Sequence, residues 1–131
     1  MAERQTTPVS APSMREVVTY QCLGLTFTTT DTMQPLELAN FQEKCLQVYG
    51  TFGTGGSITL YGSNDAADLA LQPDNAASGW CPLTDPQGNA ITKTAKSIEE
   101  ILENPRYITA KVTAGDGTTN LKVFITCKRS I

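Results

Sequence analysis

Short runs of alternating apolar and polar residues occupy most of this chain. From Val17 to Thr30, Leu23, Leu25 and Phe27 alternate with Gly24, Thr26 and Thr28, the period of two expected of a half-buried strand. Gly24 predicts a bulge or bend within it. Asp31 to Pro35 reads as a turn, and Leu36 to Leu38 as a short strand or extended link. Lys44 to Phe52 then sets Leu46, Val48 and Phe52 against Cys45, Gln47 and Tyr49. Gly53-Thr-Gly-Gly56 turns this strand into Ser57 to Tyr61, with Ile58 and Leu60 on one face. The chain ends in a hairpin. Ile108, Ala110 and Val112 point inward from its first strand, Ala114-Gly-Asp-Gly117 turns, and Leu121, Val123, Ile125 and Cys127 face the core from the second.

Between these outer hairpins the pattern is interrupted. Asp65 to Ser78 is a polar excursion in which Ala66 to Leu71 suits one helical turn stopped by Pro73. Trp80 to Leu83 and Ala90 to Thr94 follow as short strands. Ser97 to Glu103 is expected to be the one helix. Ser97 and Glu100 have capping-box spacing, Ile98, Ile101 and Leu102 share a face, and Asn104-Pro105 ends it. Glu3 to Ser13 is rich in Thr, Pro, Ser and Ala with little to bury, so residues 1–14 read as a flexible, irregular arm. Residues 15–131 read as one domain. Seven or eight short strands with regular turn signals predict an all-β fold, a jelly-roll-like antiparallel β-sandwich.

Composition narrows the function. The 131 residues carry 10 basic and 13 acidic side chains, a net charge of -3, and the cations are scattered. That argues against nucleic acid as a partner, because phosphate binding draws on clustered Lys and Arg. No apolar run is long enough to span a bilayer, and the N-terminal residues lack a signal-peptide core, so neither membrane nor secretion is expected. Cys22, Cys45, Cys81 and Cys127 are widely spaced, which suits buried structural thiols better than a disulfide framework or a zinc site. The chain has no His, so no Ser-His-Asp or Cys-His catalytic pair can be assembled. Glu99, Glu100 and Glu103 suit a solvated helix face better than an acid–base pair. Asp65, Asp68, Asp74, Asp85 and Asp116 all lie in turn sequences. Calcium is the one metal such loops suggest, but no calcium-loop motif is present and turn formation explains them. No enzyme activity, cofactor or metal is expected.

Large side chains remain as candidates for binding. Trp80, in Gly-Trp-Cys-Pro-Leu, is expected to anchor the core with its N–H bonded to backbone. If Leu121, Val123 and Ile125 face inward, Phe124 points the other way, and Tyr49 and Tyr107 fall on similar outward positions. Outward aromatics on a sheet suggest a protein partner. Thr6 and Pro8 in the arm, and Asp68, Leu71 and Asp74 in the excursion, are the loop-borne contact candidates.

Three segments carry a family resemblance. They are Ile58-Thr-Leu-Tyr-Gly-Ser-Asn-Asp65, then Trp80-Cys-Pro-Leu-Thr-Asp-Pro-Gln-Gly-Asn-Ala-Ile-Thr92, and Asn104-Pro-Arg-Tyr-Ile108 with Thr113-Ala-Gly-Asp-Gly-Thr-Thr119. Over roughly Lys44 to Arg129 the chain resembles the cement, or decoration, proteins of tailed-phage heads. That resemblance implies a jelly-roll sandwich on the virion exterior, assembled in the host bacterial cytoplasm, clamping neighbouring subunits of the major capsid protein. It also implies a homo-oligomer, a dimer ahead of a trimer. The excursion from Ala66 to Ser78 is longer than the family's usual turn. Gly-Ser-Asn-Asp followed by Trp is similar also to discoidin-like sugar-binding sandwiches, in which Asn64, Asp65 and Trp80 would hold a glycan. A head- or tail-joining component is the third expectation.

Overall fold

The computed structural model describes residues 3–10, 17–28, 31–38 and 41–129. Among the described residues, twelve strands run in chain order: β1 (Glu3–Arg4), β2 (Thr6–Ser10), β3 (Val17–Thr26), β4 (Thr32–Met33), β5 (Leu36–Glu37), β6 (Glu43–Thr51), β7 (Ser57–Ser63), β8 (Cys81–Pro82), β9 (Thr92–Lys93), β10 (Ser97–Ile101), β11 (Tyr107–Ala114) and β12 (Asn120–Lys128). One sheet has the order β10-β6-β12-β3-β2. The other has the order β1-β4-β11-β7-β8, with β5 also on β11 and β9 also on β7. All pairings are antiparallel except β1 with β4.

The pairings nest. β3 pairs with β12, β4 and β5 with β11, β6 with β10, and β7 with β8 and β9. The chain is thus a long two-stranded ribbon rolled so that successive pairs fall in alternate sheets, which is the jelly roll the alternation predicts. Inward residues of both sheets make one core, with Leu25, Leu46, Val48, Leu121, Val123 and Ile125 from one side and Ile58, Leu60, Ile108, Ala110 and Val112 from the other. Gly24 does mark a bulge. Leu23 and Gly24 lie opposite the single Lys122, and Gly24 takes φ 75° to bring Leu25 back into the core.

Two local expectations are corrected. Ser97 to Glu103 is no helix: residues 97–101 form β10, an edge strand in register with Lys44 to Val48 of β6. A seven-residue helix would have to nucleate for very few hydrogen bonds, whereas the free edge of β6 supplies partners at once. The helical element is instead a 3-10 turn at Ala66–Ala70, capped by Asp65, whose carboxylate accepts from Ala67 N–H. The N-terminal segment is also not irregular over residues 3–10. β2 lies along β3 as the sheet's edge, with exposed Pro8 at a position that tolerates a missing N–H. β1 is held by Arg4, whose Nε donates to fully buried Asp31 at 2.6 Å. The same carboxylate accepts from Thr26 N–H and hydroxyl, so a charge removed from water is surrounded by donors. Residues 11–14 of the expected arm lie outside the described residues.

Candidate functional site

The two sheets differ in what covers their outer sides. On the β11 sheet, Thr109 and Lys111 alternate with the inward-facing residues yet are buried, as is Tyr107. The cover is the excursion between β7 and β8. Buried Asp68, 2% exposed, accepts from Ser63 Oγ at 2.5 Å and Gly79 N–H at 2.9 Å, tying the two ends of the excursion together. Trp80 Nε1 donates to the carbonyls of Asp68 and Leu71, 3.0 Å from each. Asp74 approaches Lys111 Nζ at 3.9 Å. A cleft of about 300 Å³ remains between this cover and the sheet, lined among others by Thr32, Gln72, Trp80 and Thr109.

The β12 sheet has no such cover among the described residues. Strand register orders its outer side into rows. The middle row runs Ile98, Gln47, Phe124, Gln21, Thr7 across β10, β6, β12, β3 and β2. One step along the strands lie Tyr49 and Lys122, with Leu23 at the bulge. One step the other way lie Glu100, Cys45, Thr126 and Thr19. Tyr49 and Phe124 stack with ring centroids 5.7 Å apart and planes 11° apart, and Lys122 Nζ lies 5.3 Å from the Tyr49 ring centre. Thr19 and Thr126 hydroxyls share a hydrogen bond of 2.8 Å across the strands. Ile98 is 69% exposed and Leu23 47%. With the aromatic pair they make an apolar patch beside a shallow hollow of about 530 Å³ lined by Gln47, Tyr49, Lys96, Ile98 and Phe124.

The residues singled out in the sequence are therefore distributed over three places. Tyr49 and Phe124 come together on the open face. Asp68, Leu71, Asp74 and Trp80 come together in the cover of the opposite sheet. Trp80 is buried, with its N–H on backbone as expected, but its place is beneath the excursion and outside the inter-sheet core. Asp68 is turned into the chain, and Leu71 is half-buried; Asp74 keeps an exposed side chain. Tyr107 is corrected: it is 4% exposed, because the cover shields its side of β11, and the Arg106 guanidinium sits 5.0 Å over its ring. Thr6 and Pro8 lie in the edge strand, where Thr6 N–H and hydroxyl donate to the Gln34 side-chain and backbone oxygens. Ile98, Lys96 and Leu23 were missed as surface residues, and Glu100 is exposed as expected but on a strand instead of a helix. The strand period in Ile98-Glu-Glu100 was the available signal, and the helical reading concealed it.

The four cysteines are free thiols. Cys22 and Cys127 are buried, and burial pushes each thiol up to about 11. Cys45 is half-buried on the open face, and Cys81 is exposed, against the expectation of four buried thiols. Asp116 is held down at about 2 by donors from Thr118 in its own turn and Thr54 in the β6–β7 turn. Among the described residues no group of three His, Cys, Asp or Glu side chains is placed to hold a metal.

Fold and surfaces together define a jelly-roll sandwich with one sealed and one open sheet face. The SPBc2 prophage-derived protein YomS has a similar fold, with a TM-score of 0.54 at 9% identity over 87% of this chain and 96% of that one. Weaker likenesses include an L-ribose isomerase of Cellulomonas parahominis, TM-score 0.46 at 10% identity over 98% of this chain and 63% of that one. The adhesin domain of Lys-gingipain from Porphyromonas gingivalis gives 0.40 at 11% identity, over 98% and 85% of the two chains. No protein-family model and no curated protein matches the chain.

Proposed function

We propose that this chain is a structural protein of a phage virion, without enzymatic activity, that binds the outside of the assembled head and cements neighbouring major capsid protein subunits. The observation that carries this reading is a jelly roll shared with a prophage-derived protein over nearly the whole of both chains. The turn motifs that resemble head-decorating proteins support it. Attachment sites of this reading are the outward rim of the excursion, where Leu69 and Asp74 remain exposed, and the β2 edge carrying Thr6 and Pro8. Both are carried on a rigid sandwich, which is how a small domain positions contact segments. Cementing follows from mass action: a surface composed of two capsid subunits exists only in the finished shell, so whatever binds it stabilises the shell.

The sugar-binding alternative is weakened by Trp80. Its ring is buried and its N–H is taken up by two carbonyls, so it cannot stack on a glycan without dismantling the cover. The test is co-sedimentation of the purified protein with empty expanded phage heads, run against a glycan array. Saturable binding and a raised temperature of head disruption are expected. A silent sedimentation assay with positive glycan spots would overturn the reading.

A further inference from the structure

We propose that the open face of the β12 sheet is a homodimer interface, with two copies packed face to face about a two-fold axis running across the strands along the Ile98–Gln47–Phe124–Gln21 row. This concerns a different surface from the head-binding rim and stands without that reading.

Three observations select a second copy of this chain as the occupant. The first is area. Five strands at about 4.8 Å spacing, three of nine or ten residues and two of five, at about 3.3 Å per residue, make a face of roughly 600 Å². Two such faces bury roughly 1,200 Å², the size at which stable specific interfaces begin. The second is the placement of the apolar side chains. The axis row holds Ile98 and Phe124, so each meets its own counterpart, as an isologous contact requires. Tyr49 and Leu23 flank that row and extend the contact.

The third is charge. A two-fold along the middle row sets each residue one step above it against residues one step below it in the second copy. Lys96, two residues before Ile98 on the same strand side, then faces Glu100 of the second copy, and the pair occurs twice. Lys122 faces Thr126, Lys128 faces Asn120 and Glu43 faces Thr51, so no like charges oppose each other. An axis parallel to the strands would instead keep Lys96 and Glu100 in their own rows and pair neither with the other. Charge complementarity therefore fixes the direction of the axis, which is its usual contribution at interfaces.

The test is sedimentation equilibrium of the purified full chain. The wild type is expected to be a dimer. Glu100→Lys sets cation against cation, and Lys96→Glu sets anion against anion; each is expected to weaken the dimer by about tenfold or more. The double variant K96E/E100K restores the complementarity and is expected to recover the wild-type affinity. Ile98→Glu should give monomers with an unchanged far-UV spectrum, since Ile98 is exposed in the single chain. Cys45 should then react with a thiol reagent faster than it does in the wild type. A wild type that stays monomeric at every concentration overturns the proposal. So does a dimer indifferent to Ile98→Glu, or a double variant no better than the singles. A monomeric wild type whose Ile98→Glu variant loses head binding assigns the face to the capsid and overturns it too.

Discussion

The outer sides of the two sheets began with the same alternating grammar and ended differently. On β11 the outward residues Tyr107, Thr109 and Lys111 are buried, and only Thr113 at the strand's end is exposed. On β12 they are Lys122, Phe124, Thr126 and Lys128, none of them fully buried. Strand sequence does not account for the contrast. The segment between β7 and β8, residues 64–80, does, by folding back on one sheet and fastening itself through Asp68 and Trp80. Sheet faces are made inner or outer by what the connections do with them.

Loss of the Trp80 side chain should break that contrast most severely. Trp80→Ala removes the ring that seats the cover and is expected to cost about 3–5 kcal/mol by urea unfolding. A loss below about 1 kcal/mol would mean that the cover contributes packing elsewhere. Asp68→Ala leaves Ser63 Oγ and Gly79 N–H without their acceptor and should cost about 2–3 kcal/mol. Amide exchange at Gly79 should accelerate with it, while amides of β12 stay protected.

Alkaline pH probes the core side of the open sheet. Cys22 and Cys127 keep their protons up to about 11 when folded, against 9.0 for a free thiol. Between those values the unfolded chain holds fewer protons, so stability falls as pH rises through the window. Lys44, buried and bonded to Asn104, acts with the opposite sign: desolvation lowers its pKa below 10.5, so its contribution rises with pH below that value. Tyr20 and Tyr61, raised above 10.0 by burial, act in the same direction as the thiols. Cys127→Ala is expected to flatten the fall measured by unfolding at pH 9 to 11. The smallest effect belongs to the open face itself. Ile98→Ser should change monomer stability by no more than about 0.5 kcal/mol, measured at dilution, while Trp80→Ala on the covered side costs several times that. Equal losses at the two positions would erase the distinction between the faces.

Much of this was legible in the chain. The inward sets Ile108, Ala110, Val112 and Leu121, Val123, Ile125 were readable because each strand's period is local, and so was the jelly roll. The outward positions of Tyr49 and Phe124 followed from the same period, and their stacking from the register of β6 with β12. Burial of Tyr107 did not, because its cover comes from a segment more than thirty residues away. β10 was misread because Ser97, Ile98, Glu100 and Ile101 suit a helix's first turn as well as a strand, and only the edge of β6 decides between them. The N-terminal strands were illegible for a related reason. Their sequence is polar, and what holds them is a carboxylate at Asp31 and a side chain at Gln34, both far away in sequence.

The nested pairing has a consequence in time. The hydrogen bond from Thr19 to Thr126 spans 107 residues, and β3, β12 and β6 cannot stand side by side until that loop closes. Contacts of such sequence separation make folding slow, since closure entropy precedes any gain from the contact. The row that brings Phe124 beside Gln47 and Gln21 therefore arises only in a finished molecule. Half-folded chains lack the face altogether, so the dimer proposed above can form only after each copy has completed its own fold.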